Sequence, residues 1–174
     1  RQVLDAVPGA RLLVKSKMFD PGEGRTMVAE RLVRCGIPAA RVEMRGFSRD
    51  YLAEYGDVDV ALDPFPYTGG ITTCEELSMG VPVVTLAGKS HGARFGASLL
   101  TNAHLPELVA QTPADYVRIA AGLASDPATL RALRRNLRTM LRHAPLTDAA
   151  GYVHDVEDVY RSIWAKFVRA AGTA

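Results

Sequence analysis

Two adjacent hydroxyl side chains, Thr72 and Thr73, follow two glycines, Gly69 and Gly70, where an apolar run gives way to helical spacing. The stretch is VDVALDPFPYTGGITTCEELSMG, from Val58 to Gly80. Its composition predicts a strand over Val58–Leu62, a loop containing Pro64, Pro66, Gly69 and Gly70, and a helix from Thr72 that ends at Gly80. A turn of this kind presents backbone N–H groups and the positive end of a helix to whatever lies above the sheet. The two threonines add hydroxyl donors in the first helical turn, so the chemistry expected is anion binding, of a phosphate above all. Ordinary helix capping is the alternative use of a threonine there.

Other chemistries find less support. The loops that leave strand ends, Arg45–Arg49, Asp63–Ile71 and Ala87–Gly92, contain no Ser/His/Asp order and no clustered metal ligands, which describes a binding half-site more than a complete reaction centre. His91 and His104 have no partner at ligand spacing. Gly88-Lys89-Ser90 does not make a P-loop, because Val83 stands where the earlier glycine belongs, and GxGxxG is absent, which disfavours a Rossmann-like oxidoreductase. Cys35 and Cys74 lie in different elements without CxxC or Cys/His spacing, as expected of reduced thiols in a cytosolic protein.

The elements that must position the threonines alternate. A helix over Arg1–Val7 stops at Pro8-Gly9, a strand follows over Ala10–Lys15, and a helix over Glu23–Cys35 sets Met27, Val28, Leu32 and Val33 on one side before Gly36. A strand over Val42–Met44 leads to a short helix capped by Ser48 and running through Tyr55. Beyond the central loop come the strand Val81–Leu86, a helix over Ala93–Thr101, an extended piece over Leu105–Val109, and helices over Ala114–Ala124, Ala128–Arg142 and Asp148–Ala170. Strands apolar on both faces suit a parallel sheet covered by helices. The expectation is a doubly wound, Rossmann-like α/β sheet with C-terminal helices, with Val58–Leu62 and Val81–Leu86 adjacent and buried. The Arg131, Arg134, Arg135 and Arg138 set predicts a solvated helix face. The stripe of Val156, Tyr160, Trp164 and Phe167 predicts that the last helix, 148–170, packs back on the lobe.

With 174 residues, 48% of them hydrophobic, the chain can bury a core as one domain, 1–174. A net charge of +2 without a basic run gives no nucleic-acid groove. No apolar run reaches the roughly 20 residues that span a bilayer. The chain opens on Arg1 rather than Met and partway through a repeating unit, so a piece of a longer protein is expected.

The run DVDVALDPFPYTGGITTCEELSMGVPVVTLAG, followed by Arg94 in HGARFGASLL and then LPELVA, resembles the C-terminal catalytic half of O-GlcNAc-transferase-like and SPINDLY-like enzymes, glycosyltransferase family 41. It is most similar to the bacterial branch, where the catalytic region follows tetratricopeptide repeats. The resemblance implies the nucleotide-binding lobe of a cytoplasmic GT-B enzyme that binds a UDP-sugar and transfers the sugar to a protein acceptor with inversion, without an obligatory metal or other cofactor. A non-catalytic binding or scaffold module is the alternative.

By the same resemblance Thr72 and Thr73 hold the UDP phosphates, with Gly70 in their loop, and Glu76 holds the ribose hydroxyls, where some members carry Asp. Phe47 and Arg49 frame the base and ribose, and Tyr51 stands where a uracil-stacking His is expected. Arg94 contacts the sugar-nucleotide or holds its loop by an ion pair. Ile71 departs from the family, replacing a His of the animal enzymes. The family's phosphate-binding lysine is expected before Arg1, and the general base and acceptor groove in the other lobe and the repeats. No catalytic residue is therefore expected in this chain, which alone should be inactive.

Overall fold

The computed structural model describes residues 1–20 and 22–171. The element order is α1 (Gln2–Ala6), β1 (Leu12–Lys15), α2 (Glu23–Arg34), β2 (Val42–Arg45), β3 (Ala61–Leu62), α3 (Ile71–Ser78), β4 (Val83–Leu86), α4 (Phe95–Asn102), β5 (Val109–Ala110), α5 (Pro113–Ala124), α6 (Pro127–Arg142) and α7 (Ala149–Ala171). All strand pairs are parallel, as two-faced apolar runs require. They form two hydrogen-bonded groups, β1-β2 and β3-β4-β5, rather than one continuous ladder. β3 is short, its two residues pairing with Val83 and Val84 of β4.

The core lies around the three-stranded group. Val81, Val83, Val84, Leu77, Leu100 and Leu137 are completely buried, joining β4 to α3, α4 and α6. Val58–Leu62 and Val81–Leu86 are neighbours as expected, although Leu62 is 39% exposed and Val58 and Val60 are half-buried. Two prolines start helices at their first position, where no N–H is needed: Pro113 behind the Thr112 cap and Pro127 behind Asp126, whose carboxylate accepts the N–H groups of Ala128 and Thr129. Gly80 ends α3 with φ +82°, and a Cβ there would come within 2.7 Å of the Arg134 carbonyl, so only glycine lets α6 pass this close.

Four expectations need correction. Arg134 is not a solvated cation: its guanidinium donates to the carbonyls of Tyr55 and Val58 at 2.6 and 2.7 Å, closing the turn that feeds β3. Ser48 caps no helix, because the chain there makes turns and then a 3-10 segment over Ala53–Asp57 without a side-chain cap. On α2, Met27 and Val33 of the expected apolar side stand 55% and 54% exposed, and no residue of this helix is buried. The last helix does not dock through Tyr160 and Trp164, which are 69% and 65% exposed. Its apolar stripe runs along the helix, but no residue of α7 is buried, and among the described residues Trp164 stacks only on Phe167 of its own helix.

Candidate functional site

The Asp63–Ile71 loop leaves the carboxyl end of β3 and feeds α3, where open parallel sheets place their ligands. Gly70 is the N-cap of α3 and supplies no side-chain acceptor. The N–H groups of Gly70, Ile71, Thr72 and Thr73 find no protein acceptor among the described residues. These are the orphan donors of a helix start, and here they remain open to a ligand. Neither threonine is the cap residue, and neither hydroxyl takes a capping bond.

The geometry around Gly69 brings the hydroxyls together. A Cβ on Gly69 would lie 2.6 Å from Thr73 Oγ1 and 2.9 Å from Thr72 Oγ1, so both hydroxyls converge on the space that the missing side chain leaves. Thr72 is exposed, whereas Thr73 is only 1% exposed. Gly69 itself is fixed from below, its N–H donating to Asp63 Oδ1 at 2.6 Å.

Asp63 was not singled out in the sequence, yet it organises the loop. The residue is 3% exposed, and its second carboxylate oxygen accepts the Thr85 hydroxyl at 2.6 Å. Tyr116 donates to its carbonyl at 3.0 Å. Burial pushes the Asp63 carboxyl up, opposed by the bonds from Thr85 and Gly69. The buried Thr68 hydroxyl donates to the Gly92 carbonyl and accepts the Gly96 N–H, tying the loop to α4. A Cβ on Gly96 would stand 2.2 Å from Asp63 Oδ2, and this glycine is the sequence signal for so close an approach.

Glu76 is half-buried, and its carboxylate makes no hydrogen bond among the described residues. Burial, then the charges of Asp63 and Glu75, push its carboxyl up to about 7. The carboxylate that meets an aromatic partner is its neighbour Glu75, which accepts the Tyr51 hydroxyl at 2.6 Å. That bond raises the Tyr51 phenol and brings the loop after β2 against α3. Tyr51 is 38% exposed and so is not a core residue. Phe47 is 70% exposed, its N–H held by Asp20 at 2.7 Å, and Arg49 is exposed without a protein partner among the described residues.

Arg94 stands apart from this set. It makes no ion pair among the described residues; its guanidinium donates to the Gly88 carbonyl at 3.3 Å, and it lines an open cavity of about 420 Å³ to which no residue of the 63–73 loop contributes. The structure therefore brings Thr72, Thr73 and Gly70 together, sets Glu76 one turn along α3, joins Tyr51 through Glu75, and leaves Arg94 bracing its own loop.

A helix-covered parallel α/β lobe with an open helix N-terminus beyond a strand end is of the Rossmann-like class. Residues 2–156 match the sequence profile of Glycosyl transferase family 41, and the chain belongs to that family. It is 40% identical over 169 residues to the "Probable UDP-N-acetylglucosamine--peptide N-acetylglucosaminyltransferase SPINDLY" of Hordeum vulgare, a match covering 95% of this chain and 18% of that protein. The Arabidopsis thaliana protein of the same name is 38% identical over 171 residues, 97% of this chain and 19% of the other.

Among solved structures, a mutant of the Thermobaculum terrenum O-GlcNAc transferase superposes with a TM-score of 0.87 at 39% identity, covering 98% of this chain and 33% of that one. The fold is thus that of the C-terminal lobe of a GT-B glycosyltransferase. The chain spans about a fifth of the length of the plant relatives.

Proposed function

We propose that this chain is the nucleotide-sugar-binding half of an inverting glycosyltransferase that moves GlcNAc or another hexose from a UDP donor to a protein side chain. The observation that carries the reading is the convergence of the Thr72 and Thr73 hydroxyls over Gly69, beside four open N–H groups at the start of α3. An anion seated there meets hydroxyl donors, amide donors and the positive end of the helix together. The names of the SPINDLY relatives and of the Thermobaculum terrenum enzyme support a sugar-nucleotide as that anion.

In the reaction proposed, an acceptor oxygen or nitrogen attacks the anomeric carbon while the bond to the β-phosphate breaks, and a base outside this chain takes the acceptor proton. The negative charge on the departing UDP grows where the Thr72 and Thr73 hydroxyls point, so these donors and the α3 dipole stabilise it more as the bond lengthens. Glu76 receives the ribose diol, and Phe47, Arg49 and Tyr51 frame the base. The full protein, on this reading, works in the cytoplasm without an obligatory divalent ion and carries the first lobe and tetratricopeptide repeats.

Calorimetric titration of the full-length protein with UDP, UDP-GlcNAc and UDP-glucose, with GDP and ADP as base controls, tests the proposal. Saturable UDP binding is expected. Absence of UDP binding sinks the reading, and UDP binding without transfer to any protein acceptor points to a scaffold module.

A further inference from the structure

Tyr67 is 74% exposed, yet its ring is not loose. It meets Phe95 edge-on, with centroids 6.5 Å apart at 85°, and lies against Gly92, where a Cβ would come within 3.2 Å of ring carbon Cδ2. The next residue, Thr68, is buried and doubly tied to the Gly92 carbonyl through its N–H and its hydroxyl. A large aromatic side chain is thus held in place by its base and one edge while most of it faces solvent. A ring held in this way can offer its open face to a ligand at little cost in side-chain ordering.

The position of the ring says what that is. Tyr67 precedes Gly69 by two residues, a span of at most ~7 Å of chain, and Gly69 is the point over which the Thr72 and Thr73 hydroxyls converge. Tyr51 approaches α3 from the loop after β2, through Glu75, whereas Tyr67 leans on the loop after β4. The two aromatic side chains therefore reach the neighbourhood of the threonine pair from different loops, Tyr51 from the one after β2 and Tyr67 against the one after β4. If the base lies on the Tyr51 side of the pyrophosphate, the group on its other side is the hexose. One face of a hexose is a patch of C–H groups, and the negative face of an aromatic ring attracts them while both lose apolar surface to water.

We propose that Tyr67 is the platform on which the transferred hexose of the donor stacks, a specificity-determining contact of the sugar rather than of the nucleotide. This rests on the nucleotide-sugar reading above, and the experiment separates the two. UDP and UDP-GlcNAc are titrated into the full-length wild type, Tyr67→Ala and Tyr67→Phe.

The expected result is that Tyr67→Ala weakens UDP-GlcNAc about three- to tenfold and leaves UDP within about twofold, while Tyr67→Phe behaves as wild type with both. Retained UDP affinity in Tyr67→Ala also reports that the loop has kept its shape. Equal weakening of both ligands, no weakening of either, or a loss in Tyr67→Phe as large as in Tyr67→Ala overturns the proposal and leaves the nucleotide site standing. A wild type that binds neither ligand overturns both.

Discussion

The Asp63 carboxylate accepts the Gly69 N–H at 2.6 Å, so the end of β3 reaches forward and fixes the glycine over which both threonine hydroxyls meet. A buried carboxylate with two donors and no cation is costly unless both donors are kept, because each bond to a charged acceptor contributes about 1.5–3 kcal/mol and an orphaned buried donor costs about 1–3 kcal/mol. Asp63→Ala should therefore destabilise the protein by about 3 kcal/mol or more, with Asp63→Asn less damaging because its amide oxygen still accepts one donor. Thermal melts of the two variants check this. Equal and small shifts would show that the Gly69 and Thr85 bonds contribute little.

Glu76 gives a pH-dependent prediction. Its folded carboxyl titrates at about 7, above the ordinary 4.5. The folded state therefore binds the proton more tightly than the unfolded one, and stability falls as pH rises from below 4.5 to above 7. At pH 8 the buried charge costs on the order of 3 kcal/mol at most. Glu76→Gln should raise the melting temperature by several degrees at pH 8 and have little effect near pH 4.5. A constant difference across that range would mean that Glu76 titrates normally.

Arg134 ties α6 to the turn before β3 through two backbone carbonyls, at 2.7 and 2.6 Å. Arg134→Met keeps much of the stem but orphans those carbonyls, and a loss of about 3 kcal/mol or more is expected at about 1.5–3 kcal/mol for each lost charged-donor bond. Arg131→Met, on the exposed side of the same helix, should stay within about 0.5 kcal/mol of wild type. Equal effects in urea denaturation would refute the distinction.

How much of this was readable in the sequence differs from residue to residue. The parallel strands and the strand-loop-helix at Gly69-Gly70 were legible because two-faced apolar runs and glycine punctuation are local signals. The Asp63, Thr68 and Thr85 network was not, since polar residues at strand ends and in loops look solvated until Gly96 brings α4 within contact. The part played by Glu75 beside Glu76 is hidden for a similar reason: spacing puts both on the first turns of α3, and only the fold shows Tyr51, 24 positions away, bonded to Glu75. The stripe on α7 was correctly seen as apolar, but periodicity does not tell which surface comes opposite it.

The threonine pair supports the sharpest prediction, because the two uses of a helix-start threonine leave different marks. Replacing both with Val keeps the shape and removes two hydroxyl donors to a charged acceptor, each contributing about 1.5–3 kcal/mol. UDP affinity of the full-length protein should then fall by on the order of a hundredfold or more, since each 1.4 kcal/mol is tenfold. Loss of a helix cap would instead lower stability by about 1 kcal/mol with affinity intact, but Gly70 holds the cap position and neither hydroxyl takes a capping bond, so the melting temperature should hardly move. Titration and melting of the same double variant decide between them: unchanged UDP affinity would remove the phosphate role from Thr72 and Thr73, and with it the main support for a donor site on this lobe.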